Sequence, residues 1–87
     1  ILTLNKSGLF ERLGNFYMTY GNLDKALQFL EEYLKLGKEL YENQPTNVDF
    51  KNNLAISYSK LGNIHTSLGN LEQALQFFED DLHEQLS

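Results

Sequence analysis

The stretch Leu13-Gly14-Asn15-Phe16-Tyr17-Met18-Thr19-Tyr20-Gly21-Asn22-Leu23-Asp24-Lys25-Ala26-Leu27-Gln28-Phe29 returns 48 residues later as Leu61-Gly62-Asn63-Ile64-His65-Thr66-Ser67-Leu68-Gly69-Asn70-Leu71-Glu72-Gln73-Ala74-Leu75-Gln76-Phe77. The two copies align without a gap, so one unit has been duplicated in register. Extending the overlay to roughly 33 pairs gives about a dozen identities, and most other pairs keep their character. Such a unit is one supersecondary element that buries its apolar face against its neighbours rather than alone.

Each unit reads as two helices joined by a tight turn. Leu23, Ala26, Leu27, Leu30 and Leu34 recur at steps of three and four, which is one face of a helix. A second stripe, Phe29, Tyr33, Leu36 and Leu40, runs beside it. Together they form a face too broad for one partner, so this helix should be wedged between its hairpin mate and the next unit, with the second stripe turned to that unit. Gly21 and Gly69 can take the left-handed conformation that ends a helix, and Asn22 and Asn70 can cap the next one. Asp24 and Glu72 place negative charge in the first turn, where the helix dipole favours it. Asn43-Gln44-Pro45 stops the second helix, and Thr46-Asn47-Val48-Asp49 resembles a capping box with Asp in place of the usual Glu. The expected helices are 3–20, 23–43, 47–68 and 71–86, the first boundary being the weakest because Asn5, Ser7 and Gly8 are poor helix formers. A glycine inside a helix costs about 1 kcal/mol relative to alanine, so Gly14 and Gly62 need a reason. Opposite Ala26 and Ala74 they would let two backbones approach closely. No Gly-x-x-x-x-Gly-Lys phosphate loop occurs.

These residues carry a family resemblance. Phe10-x-x-Leu13-Gly14-x-x-Tyr17 with Ala26-x-x-x-Leu30, and Tyr58-x-x-Leu61-Gly62-x-x-His65 with Ala74-x-x-x-Phe78, resemble the tetratricopeptide repeat (TPR) signature, with Gly21 and Gly69 at the turns. The resemblance implies an all-α fold of two antiparallel helix hairpins, residues 1–45 and 46–87, stacked as a right-handed solenoid fragment in one domain. The sequence departs from the pattern at His65, which replaces an aromatic, and at Tyr33 and Asp81, where a small residue is usual. The period is 48 rather than about 34 residues. The excess splits into about seven residues per helix, nearly two turns, which returns each helix to the same face. This is similar to the long-helix repeats of bacterial TPR arrays.

Composition sets the outer bounds. Eighty-seven residues, 41% hydrophobic and 22% charged, make one small domain that buries roughly 60 to 65% of its unfolded surface. Eleven aromatic residues separate it from a disordered acidic tail, and no apolar run is long enough for a membrane span or a signal peptide. The absence of cysteine excludes disulfides, thiolate metal sites and a cysteine nucleophile, and suits a reducing, cytoplasmic setting. A net charge of −5 offers nothing to a phosphate backbone, so neither nucleic acid nor membrane is an expected partner. The first residue is Ile, and the chain reads as a piece of something longer.

No constellation for an enzyme, cofactor or metal emerges: Gly-x-Ser-x-Gly and His-Glu-x-x-His are absent, and Glu79, Asp80 and His83 read as a solvated outer face. His65 reads as a partly buried structural residue, and Asn5-Lys6-Ser7 as a chance glycosylation sequon. The expected function is a protein-interaction scaffold. The resemblance places ligands in the groove lined by the first helix of each hairpin, whose outward positions here are Glu11, Asn15, Met18 and Thr19, then Ser59, Asn63, Thr66 and Ser67. The alternatives are a self-assembly module that pairs through its open ends, with Phe77 exposed at one of them, and sensor repeats attached to an enzyme domain. Residues 1–60 balance seven acids with seven bases, whereas 61–87 hold five acids and no base. There the stripe Phe29, Tyr33, Leu36 becomes Phe77, Asp81, Glu84, which reads as a polar C-terminal cap in preference to a docking face for a basic partner.

Overall fold

A computed structural model of the chain describes residues 2–86, and the side chains of residues 6–84 and 86. It has four helices, α1 (Leu2–Thr19), α2 (Leu23–Asn43), α3 (Val48–Ser67) and α4 (Leu71–Leu86), each bound lying within one residue of expectation. They pack in chain order, α1 on α2, α2 on α3 and α3 on α4. The Cα extents of 34 × 28 × 14 Å describe a slab of two hairpins.

The hairpin turns follow from their glycines. Gly21 and Gly69 have φ of +79° and +81°. At the first turn the Gly21 N–H donates to the Met18 carbonyl at 3.1 Å and the Asn22 N–H to Tyr17 at 2.9 Å; the second turn repeats this with Gly69 to Thr66 at 3.1 Å and Asn70 to His65 at 2.8 Å. Paired bonds of this kind are the Schellman motif, which satisfies carbonyls left open at a helix end. Asn22 Oδ1 then accepts from the Lys25 N–H at 3.2 Å and caps α2. The Asn70 amide instead lies 3.3 Å from His65 Nδ1. At α3 the cap is Asn47, whose Oδ1 accepts from the Phe50 N–H at 3.1 Å. The expected box headed by Thr46 is therefore displaced by one residue, because Asn47 caps with its own side chain.

The core cluster joins Ala26, Leu30 and Tyr33 of α2 to Leu61 and Ile64 of α3, all buried, with Phe10, Tyr17, Met18, Leu27, Leu34, Leu68 and Phe77 packed against it. Fully burying a leucine such as Leu30 is worth about 1.5–3 kcal/mol. The helical glycines make room for large side chains rather than for the expected small ones. A Cβ on Gly14 would lie 2.6 Å from Leu30 Cδ2, with the Ala26 carbonyl oxygen at 3.6 Å, and one on Gly62 would lie 2.6 Å from the Phe78 ring. Leu30 and Phe78, one turn beyond the alanines, fill the hollows.

The aromatic residues repeat their arrangement as the sequence does. Phe29 stacks on Tyr17 at 5.6 Å and on Phe10 at 6.1 Å; Phe77 stacks on His65 at 5.4 Å and meets Tyr58 at 6.4 Å. His65 thus fills Tyr17's place as a flat ring. Phe29 therefore turns back to α1 rather than toward the next unit. The residues that α3 covers are revealed by what α4, lacking such a neighbour, leaves exposed: Leu27, Leu30 and Leu34 are at least partly buried, whereas their counterparts Leu75, Phe78 and Leu82 are exposed. Phe77, expected to be exposed, is half-buried against the core, and the exposed apolar edge of α4 is Leu71, Leu75, Phe78, Leu82 and Leu86. The stripe Phe77, Asp81, Glu84 is not that edge.

Candidate functional site

The outward positions of α1 and α3 are linked by a residue that the sequence reading did not single out. Lys60 Nζ, from α3, donates to Asn15 Oδ1 of α1 at 2.8 Å and stands 3.8 Å from Glu11 Oε2. The pair's side chains are only 24% and 32% exposed, so this is a half-buried tie across the two units and not a surface ion pair. The signal was present in the overlay, where Lys60 pairs with Arg12, a base at the same position of both units.

Beneath this tie lies Tyr33 of α2, 3% exposed. Its phenol pKa is pushed up to about 12, first by burial, then by the negative charge of Glu11 and the hydrogen bond to it, with hydrogen bonding between Tyr33 and Ser57 acting the other way. Burial disfavours the charged phenolate, so the group stays a neutral O–H donor beneath the tie. Tyr33, anomalous against the repeat pattern, thus has a place: it runs under Glu11 and reaches α3. Tyr58 is raised in the same direction by burial and by Asp80, Glu84 and Glu42.

The eight groove residues named from sequence differ in what they present. Glu11 and Asn15 come together around Lys60. Met18 packs partly against the core. The Thr19 hydroxyl donates to the Asn15 carbonyl at 3.0 Å and that of Thr66 to the Gly62 carbonyl at 2.9 Å, so both spend their proton on their own helix. Ser59 is half-buried, whereas Asn63, Thr66 and Ser67 are exposed. The two units therefore differ at these positions, which are tied through Lys60 in the first and mostly exposed in the second. A surface hollow of about 490 Å³ lies elsewhere, at the α3–α4 turn around His65, Asn70 and Glu72.

Among the described residues no three His, Cys, Asp or Glu side chains are grouped to hold a metal, and Asp80 Oδ1 accepts from Gln76 Nε2 at 3.1 Å. No described helix is long and apolar enough to cross a membrane.

Comparison with known families agrees with this architecture. Two family models, each described as Tetratricopeptide repeat, match the chain, one over residues 8–39 and the other over residues 51–83. No curated protein and no solved structure matches it. The matches fall on the two hairpins that the turns, the aromatic stacks and the helical glycines define, and the chain belongs to the tetratricopeptide repeat family.

Proposed function

We propose that the chain is a non-enzymatic interaction scaffold that holds an extended segment of a partner protein along the groove of α1 and α3. Repeats of this family mediate protein–protein interaction. The observation that carries the finer reading is the Lys60 tie to Asn15 and Glu11. It fixes the Asn15 amide by its oxygen and leaves the amide N–H groups to donate to a peptide carbonyl. Asn63, at the same position one unit on, is exposed and offers both a donor and an acceptor. Two asparagines on successive hairpins grip main chain without reading side chains. Because Glu11 answers the charge of Lys60, a C-terminal acidic tail gains little here, and a neutral or basic internal segment is favoured. The absence of cysteine favours a cytoplasmic setting, and the 48-residue period a long-helix repeat subtype.

The test is to capture partners with the wild-type chain and with Asn15→Ala/Asn63→Ala in parallel, then titrate the binding segment against both. Buried hydrogen bonds to a ligand contribute about 0.5 to 1.5 kcal/mol each, so the double variant should bind several-fold more weakly with unchanged helicity. Equal affinity would remove these residues from the site.

A further inference from the structure

The two ends of the molecule carry faces that match each other, and the chain itself contains the interface they would form. Leu9 and Phe16 of α1 and Tyr20 just after it are exposed. Their counterparts 48 residues on, Ser57 and Ile64 of α3 and Leu68 at its C-cap, lie buried or half-buried. The contrast is largest at Phe16, 53% exposed against 0% for Ile64. On α4, Leu75, Phe78 and Leu82 are exposed, the counterparts of the α2 residues that α3 covers. What α2 and α3 do within the chain, α4 and α1 are equipped to do between chains. We infer that a second copy of this chain docks head to tail, its α1 lying on α4 as α3 lies on α2.

Two further observations favour a second copy over another occupant. The first is the tie across the groove. Lys60 of α3 reaches back to Asn15 of α1; in the docked pair Arg12 stands where Lys60 does and Asn63 where Asn15 does. Both are exposed and of the right chemistry, so the junction repeats the existing link, with the guanidinium supplying more donors than the ammonium. The second is charge. α4 carries Glu72, Glu79, Asp80, Asp81 and Glu84 and no Lys or Arg, whereas α1 carries Lys6 and Arg12 against Glu11 alone. The acidic end of one copy meets the basic end of the next. Bulk also changes sides at one pair, since Tyr33 beside Ser57 becomes Asp81 beside Leu9, with Lys6 bringing a cation one turn away. An interface joining two different faces leaves one of each free, so association continues beyond a dimer unless it closes into a ring.

This inference does not rest on the peptide-groove reading, and its test uses no peptide. Sedimentation of the wild-type chain over a dilution series should show a mass that rises with concentration past that of a dimer. Phe16→Glu blocks the α1 face and Leu82→Glu the α4 face, both at exposed positions where circular dichroism should remain native. Each variant alone should stay monomeric. Mixed in equal amounts they should form a single dimer that does not grow, because each lends the other its intact face. Arg12→Ala should weaken wild-type association several-fold. A wild-type chain that stays monomeric at millimolar concentration overturns the proposal and leaves the faces to another occupant. So does a Phe16→Glu chain that dimerises alone through α4, or a mixture that stays monomeric.

Discussion

Gly14 and Gly62 occupy the same position in two units yet should respond differently to the smallest substitution. Alanine in place of a helical glycine is favoured by about 1 kcal/mol of backbone propensity. At Gly14 the new methyl would meet Leu30, which is fully buried and has nowhere to move, so Gly14→Ala should cost about 1–3 kcal/mol by overpacking. At Gly62 it would meet the ring of Phe78, which is 37% exposed and can swing outward, so Gly62→Ala should lie within about 1 kcal/mol of neutral. Urea denaturation of the two variants measures the asymmetry. Tyr33 gives a second prediction. Its folded pKa of about 12 lies above the unfolded value of 10.0, so its contribution to stability is complete below pH 10 and is lost as pH rises through about 12. The difference in stability between wild type and Tyr33→Phe should therefore shrink across that window. A difference that stays constant would show that the phenol is not held neutral by the fold. Little of this was legible in the sequence, where the glycines show only that something packs closely on them, Tyr33 is a departure from a pattern, and the pairing of Lys60 with Arg12 marks a repeated base without saying what it holds.

At the scale of the helix, the sequence was readable where it is punctuated. Gly21, Asn22, Pro45, Asn47 and Gly69 each impose a backbone geometry or a cap, and the helix bounds fall beside them. It was less readable where one broad apolar face serves two neighbours. Periodicity shows that Phe29, Leu30, Tyr33 and Leu34 point inward, but a helix wheel cannot say which belong to α1 and which to α3, because that depends on the crossing of three helices. The assignment of Phe77 to the open edge in place of Phe78 follows from that gap, a rotation of one residue. The eight outward positions of α1 and α3 are proposed from the repeat pattern, which suggests the side of these helices that lies away from α2 and α4. A third prediction probes the hairpin packing directly. Ala26 is fully buried and Ala74 3% exposed, so leucine at either should overfill the crossing and cost about 1–3 kcal/mol, whereas Gln76→Leu, on the exposed side of α4, should cost little. Equal melting of all three variants would contradict the packing.

For the molecule as a whole, what matters is that packing runs in a line from α1 to α4. Among the described helices only α2 and α3 pack on two others, and α3 buries Phe50, Leu54, Ser57, Tyr58, Leu61, Gly62 and Ile64 along one helix. Amide hydrogen exchange should accordingly be slowest in α3 and fastest in α1 and α4, because local opening follows the density of buried contacts. Uniform protection across the four helices would mean that the hairpins open as one body. The Lys60 tie adds a brace at one point of this line, from the third helix back to the first. Its consequence is mechanical. Stretched between its two ends, the chain should give way by peeling: α4 can strip from α3 without disturbing the brace, whereas α1 can leave α2 only after Lys60 has let go of Asn15, so under force the molecule has a weak end and a latched one.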